Sequence, residues 1–152
     1  SPADFALNHP AGSLGKQLTM TVADLMVPRD QLPALHKETP LPDVISHLTT
    51  GAIGSGWVSD PDQPERLLGL ITDGDLRRAL RDHNSEEWAS LRACHLMTTD
   101  PITTTPEMLA VDAIKAMEHN RRKAISVLPV VNEDQHLQGL LRLHDLVQAG
   151  LA

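Results

Sequence analysis

The residues with the most chemistry to offer are Thr72 and Asp75, in the stretch Gly69-Leu70-Ile71-Thr72-Asp73-Gly74-Asp75-Leu76-Arg77-Arg78-Ala79-Leu80. An apolar strand runs into a hydroxyl and a carboxylate, and a helix with basic residues follows at once. Free N–H groups at a helix start attract phosphate. A carboxylate three residues beyond the hydroxyl is suited to accept both hydroxyls of a ribose. The stretch therefore reads as a nucleotide cradle, with Thr72, Asp73 and Asp75 facing the ligand. A plainer use competes with this one: Thr or Asp just before a helix satisfies its free N–H groups as a cap. At this level both readings stay open.

The stretch recurs. Gly139-Leu140-Leu141-Arg142-Leu143-His144-Asp145-Leu146-Val147 aligns Gly139 with Gly69, Asp145 with Asp75 and Leu146 with Leu76. Leu25-Met26 returns as Leu96-Met97, and Thr39-Pro40 as Thr105-Pro106. A period of about 65 to 72 residues is too long for a solenoid unit, so two copies of one small module are predicted. Neither copy is large enough to bury a comfortable core alone, so the two are expected to share one.

The composition narrows the function classes. With a net charge of −7, the chain lacks the basic face that nucleic-acid binding requires. Phe5, Trp57 and Trp88 are the only aromatics, so the core is expected to be aliphatic. The single Cys94 excludes an internal disulfide and fits a reducing, cytoplasmic setting. No apolar run approaches the roughly 20 residues of a membrane helix, and no signal peptide is visible. The first residue is Ser1, not Met, which suggests a fragment of a longer chain. Despite eight His, no C-x-x-C or H-x-x-x-H pair occurs, so neither a metal nor a cofactor is expected.

The elements that position the cradle follow from the patterning. Thr21 to Met26 reads as a short helix capped by Thr21 and ended by Pro28. Leu32 to His36 reads as an extended piece. A helix starting at Thr39-Pro40 carries an apolar stripe of Val44, Ile45 and Leu48. Gly51 and Gly54-Ser55-Gly56 stop that helix, and their spacing is not a dinucleotide fingerprint. Trp57-Val58 and Leu67 to Ile71 are strands around the loop Asp60-Pro61-Asp62-Gln63-Pro64. A helix then runs from Asp73 to about Asp82.

The second copy repeats this order after a polar linker with a helical turn near Glu86 to Leu91. It has a short helix at Cys94 to Met97 and a strand at Pro101-Ile102-Thr103. A helix over about 107–120 has Val111, Ile114 and Met117 in the core. Strands at Ile125 to Val131 and Leu137 to Leu141 flank the turn Asn132-Glu133-Asp134, and a helix from Leu143 to about Ala149 closes the copy. Each module is β-α-β-β-α, a mixed α/β (α+β) fold.

The motif Gly69-Leu70-Ile71-Thr72-x-x-Asp75, the Pro129-Val130-Val131 run and the in-register second copy resemble a tandem pair of CBS domains, the cystathionine β-synthase module. The second copy departs from the pattern, with Arg142 where Thr or Ser is usual. The opening Asp4-Phe5-Ala6 and His9-Pro10-Ala11-Gly12-Ser13-Leu14-Gly15-Lys16 resembles the end of the sugar-isomerase (SIS) domain of D-arabinose-5-phosphate isomerases. Those SIS–CBS enzymes serve Kdo synthesis for lipopolysaccharide or capsule. Ala11 and Lys16 depart mildly from that family's usual residues.

The resemblance divides the chain into an SIS stub and linker (1–19), a first CBS repeat (20–83), a linker (84–92) and a second repeat (93–152). It implies that His9 matches a catalytic His of the isomerase, which alone cannot run an isomerisation needing both an acid and a base. It implies a small-molecule nucleotide effector, either CMP-Kdo acting by feedback, CMP or an adenosine nucleotide. It also implies a homodimer, and a tetramer in the parent chain. Lys123, at the mouth of the second cleft, adds charge for an anionic ligand, whereas Arg121 and Arg122 read as a solvated helix end. Arg142 has two readings: a cation for a phosphate or sugar-acid carboxylate, or a solvated side chain in a degenerate site beside Asp145. The rival readings of the whole are an enzyme whose active site includes the repeats, a ligand-free dimerisation module, and an unrelated adenine-nucleotide sensor.

Overall fold

The computed structural model describes residues 15, 17–51, 53–119 and 125–152. Strands β1 (Val27–Pro28), β2 (Ser55–Ser59), β3 (Leu67–Thr72), β4 (Val127–Val131) and β5 (Leu137–Arg142) form two sheets. Helices α1 (Val22–Leu25), α2 (Leu41–Thr50), α3 (Asp73–Asp82), α4 (Ala93–Leu96), α5 (Ala110–Glu118) and α6 (Leu143–Gln148) cover them.

The two sheets are built alike. In the first, Leu35 bridges Val58 in parallel, β2 pairs antiparallel with β3, and Leu70 of β3 bridges Thr98. In the second, Thr104 bridges Val130 in parallel, β4 pairs antiparallel with β5, and Leu140 of β5 pairs with Val27 of β1. The outer member of each sheet therefore comes from the other copy. Thr98 and Leu70 exchange both backbone hydrogen bonds, at 2.8 and 3.0 Å.

The short helices are exchanged in the same way. The start of α1 is bonded to the second copy, with Val22 N–H donating to Met108 at 2.8 Å and Ala23 N–H to Pro106 at 3.0 Å. The start of α4 is bonded to the first, with Ala93 N–H donating to Thr39 at 2.8 Å and Cys94 N–H to Lys37 at 2.9 Å. Where the hallmark glycines lie, this exchange leaves no room. A Cβ on Gly69 would sit 2.6 Å from Met97 Sδ, and one on Gly139 would strike the Val27 carbonyl oxygen first and sit 2.8 Å from Met26 Sδ.

The core follows the same plan. One cluster, with Leu41, Val44, Leu48, Val58 and Ile71, is completed by Leu91, Ala93 and Leu96. The other, with Ala113, Met117, Leu128 and Leu141, is completed by Val22. A third joins both sheets through Leu32, Trp57, Leu70, Val127, Leu137 and Leu140. Trp57 is buried there, and its indole N–H donates to the Leu32 carbonyl at 2.7 Å. The core is thus shared, and it is also partly separate within each copy.

Several expectations need correction. The strand expected at Pro101-Ile102-Thr103 is not formed; Thr104 alone makes the bridge. Ile45 is 40% exposed, and Leu41 takes its place on the buried face of α2. Val111 is only half-buried, because α5 turns Ala110, Ala113, Ile114 and Met117 inward. The helix stop, by contrast, falls where expected: α2 ends at Gly51, in a right-handed conformation, and Gly54 follows at φ +73°.

Overpacking a tight site costs about 1–3 kcal/mol. Gly69→Ala is therefore expected to lower the unfolding free energy measured in urea by that amount, and Met97→Ala to recover part of the loss in the double variant. A Gly69→Ala chain as stable as the parent would show that the methionine gives way freely.

Candidate functional site

Thr72 and Asp75 sit where β3 becomes α3. Thr72 is the N-cap, with extended φ −114° and ψ 169°, and Asp75 is the third helical residue. The two reciprocate. Asp75 Oδ2 accepts the Thr72 N–H at 2.9 Å and the Thr72 hydroxyl at 3.1 Å, and the Asp75 N–H donates to Thr72 Oγ1 at 3.3 Å. This is a capping box. The other oxygen, Oδ1, accepts from Arg78 Nη2 at 3.1 Å and from the Thr98 hydroxyl at 3.4 Å. Asp75 is 8% exposed. A carboxylate buried this far needs such hydrogen-bond partners to offset its lost hydration. Its cap role is therefore visible in the geometry.

The second copy solves the same local problem differently. At the end of β5, Arg142 occupies the N-cap of α6, and its N–H donates to Asp145 Oδ2 at 3.1 Å. Its guanidinium then grips the carboxylate twice, Nε to Oδ2 at 3.0 Å and Nη2 to Oδ1 at 2.7 Å. That fork-to-fork pairing is the strong form of an ion pair. The Asp145 hydrogen bond raises the Arg142 pKa above its ordinary value. The Arg142 side chain is 22% exposed, so it is not the solvated arm of one earlier reading.

The two helix starts open on one cleft of about 1220 Å³. Thr72, Asp73, Asp75 and Arg142 all line it, so the structure brings four of the expected residues together. Asp145 does not line it, because Arg142 stands in front. His9 and Lys123 lie outside the described residues, as do Arg121 and Arg122. Residues that sequence reasoning missed complete the walls, among them Ser55, Thr98, Asp100, Ile102, Ser126 and His144. Thr98 had a signal: it stands in the second copy where Val27 stands in the first, directly after the repeated Leu-Met pair. Arg78 had one too, since residues three apart on a helix meet. Among the described residues, no group of His, Cys, Asp and Glu is placed to hold a metal ion, and no helix is long and apolar enough to cross a membrane.

Two small sheets with exchanged edges, each leading into a helix that starts at a common cleft, define a paired α/β module. The CBS-domain sequence profile matches residues 22–82 and 93–152, and the chain belongs to the CBS domain family as a tandem pair. It is 37% identical over 148 residues to the arabinose 5-phosphate isomerase KdsD of Salmonella typhimurium, covering 97% of this chain and 43% of that enzyme. It is 36% identical over 144 residues to the isomerase KpsF of Escherichia coli, covering 95% and 41%. The chain thus spans less than half the length of these relatives. Its fold matches a crystal structure of CBSX2 in complex with AMP, at a TM-score of 0.70 and 27% identity, covering 86% of this chain and 96% of that one.

Removing a cap costs about 1 kcal/mol and breaking hydrogen bonds to a charge about 1.5–3 kcal/mol. Asp75→Ala is expected to fold with an unfolding free energy in urea lowered by an amount in that range, with the far-ultraviolet dichroism unchanged. A loss of the whole fold would show that Asp75 holds more than the start of α3.

Proposed function

We propose that this chain is the regulatory, nucleotide-binding CBS pair of a D-arabinose-5-phosphate isomerase that acts in Kdo synthesis in the cytoplasm. The observation that carries the reading is the Thr72–Asp75 hydroxyl–carboxylate pair opening on a cleft shared by both repeats. The likeness to KdsD and KpsF over nearly the whole chain supports the choice of parent enzyme.

In this reading residues 20–83 and 93–152 are the two sensing halves, and 1–19 lead to the isomerase domain. His9 is one catalytic contributor and the other catalytic groups lie outside this chain, so the chain alone does not isomerise sugar phosphates. Asp75 takes the ribose hydroxyls, while Thr72, Asp73 and the start of α3 meet phosphate. Lys123, Arg142 and Asp145 belong to the second half. The effector is CMP-Kdo, which closes a feedback loop. Binding biases the isomerase equilibrium, and the coupling is reciprocal. Chains associate as dimers, and as tetramers in the parent enzyme.

A second reading has its own support. The fold relative CBSX2 is described in complex with AMP, which favours an adenine-nucleotide sensor.

A thermal-shift series with CMP-Kdo, CMP, AMP, ADP and ATP separates the two. Ligand at a hundred times its dissociation constant adds about 2.7 kcal/mol. A shift with the cytidine ligands alone supports the feedback reading, one with adenine nucleotides alone supports the second, and no shift sinks both. Asp75→Ala is expected to weaken ribonucleotide binding by about ten- to a hundredfold, and unchanged affinity would reduce Asp75 to a cap. Conversion of arabinose 5-phosphate by the isolated chain would overturn the regulatory assignment.

A further inference from the structure

The two carboxylates that the repeat makes equivalent are not equivalent toward the cleft. Each holds one guanidinium, but from opposite sides. Asp75 takes Arg78 from the next turn of α3, and Arg78 does not line the cleft. Asp75 therefore lines the cleft with no guanidinium in front of it. Asp145 takes Arg142 from the strand end, and Arg142 is the partner that faces the cleft. Gln148 stands where Arg78 stands in the first copy. One wall of the cleft accordingly presents acceptors, from Asp73, Asp75 and Asp100, and the other presents Arg142 with the exposed His144.

We propose that the second half of this cleft is an anion subsite and not a second ribose site, so the chain binds one nucleotide across both repeats. The diol lies at Asp75 and the anionic group at Arg142. This rests on the nucleotide reading above, keeps its diol at Asp75, and moves the phosphate from the start of α3 to Arg142, which gives that reading a stoichiometry and a direction.

A guanidinium carries five N–H donors. Asp145 engages Nε and one N–H of Nη2, which leaves three for a ligand. The pair also cancels most of the net charge, so attraction comes from directed donors and not from a bare cation. Asp145 is then a positioning residue: it holds a planar fork at a fixed angle before the ligand arrives. Pre-organisation of this kind reduces the ordering cost of binding. Arg77 also lines the cleft, but it is exposed and makes no ion pair among the described residues. An exposed, mobile cation contributes little to a fixed contact.

The test is isothermal titration of the chain with CMP and with cytidine, which differ by one phosphate. The parent chain is expected to bind one CMP per chain, about ten- to a hundredfold more tightly than cytidine, the range of a charge-assisted contact. Arg142→Gln is expected to bring that ratio close to one, and Arg142→Lys to keep part of it. Arg77→Gln should keep most of it. A purely structural role for Arg142 would weaken both ligands in parallel and leave the ratio alone. Two CMP per chain, an unchanged ratio in Arg142→Gln, or its collapse in Arg77→Gln would each overturn the inference while leaving nucleotide binding intact. Failure of either ligand to bind the parent chain would overturn the nucleotide reading and this inference with it.

Discussion

Neither sheet can be finished by its own copy. β3 needs Thr98 along its free side, and β5 needs Val27. An unpaired strand edge leaves buried N–H and C=O groups without partners, and each such group costs about 1–3 kcal/mol. The reciprocal exchange satisfies both edges at once. It also explains the two invariant-looking sequence pairs of the repeat. Glycine at 69 and 139 is the gap, and methionine at 97 and 26 is what fills it. The cleft lies beside these crossings, lined by residues of the exchanged edge such as Thr98 and Asp100.

Much of this could be read from the chain. The strand-to-helix junction at Thr72 was legible because hydroxyl, carboxylate and apolar run each constrain the local backbone. The hairpin at residues 60–64 was legible from Asp and Pro, and Asp62 N–H does donate to Asp60 Oδ1 at 2.9 Å. The exchange itself was not legible. Leu-Met at 25–26 and 96–97 looks in sequence like the first element of its own copy, and nothing local says that it crosses to the other. Ile45 illustrates a second limit. A helical stripe admits several apolar faces, and only the position of β2 decides that Leu41 goes inward.

The site shows how far a repeat can drift without losing its fold. A helix start demands an acceptor for its first N–H groups and a partner for the acceptor. In the first copy the Thr72 hydroxyl accepts the Asp75 N–H, and in the second Asp145 accepts the Arg142 N–H with the Arg142 fork as its partner. Both answers leave Asp75 and Asp145 satisfied, and among the described residues no buried side-chain polar atom lacks a partner. The difference appears only on the cleft side, where one wall accepts and the other donates.

The crossed edges also set an order of events at the ribosome. The first repeat emerges complete in sequence while its outer pairing residue, Thr98, and its packing methionine, Met97, are still inside the ribosome. β1 emerges early and waits for β5, near the far end of the chain. Pairings that close long loops form late and leave edges exposed in the meantime. The nascent first repeat is therefore a half-built sheet, and the cleft that both repeats line takes shape only once the second has emerged.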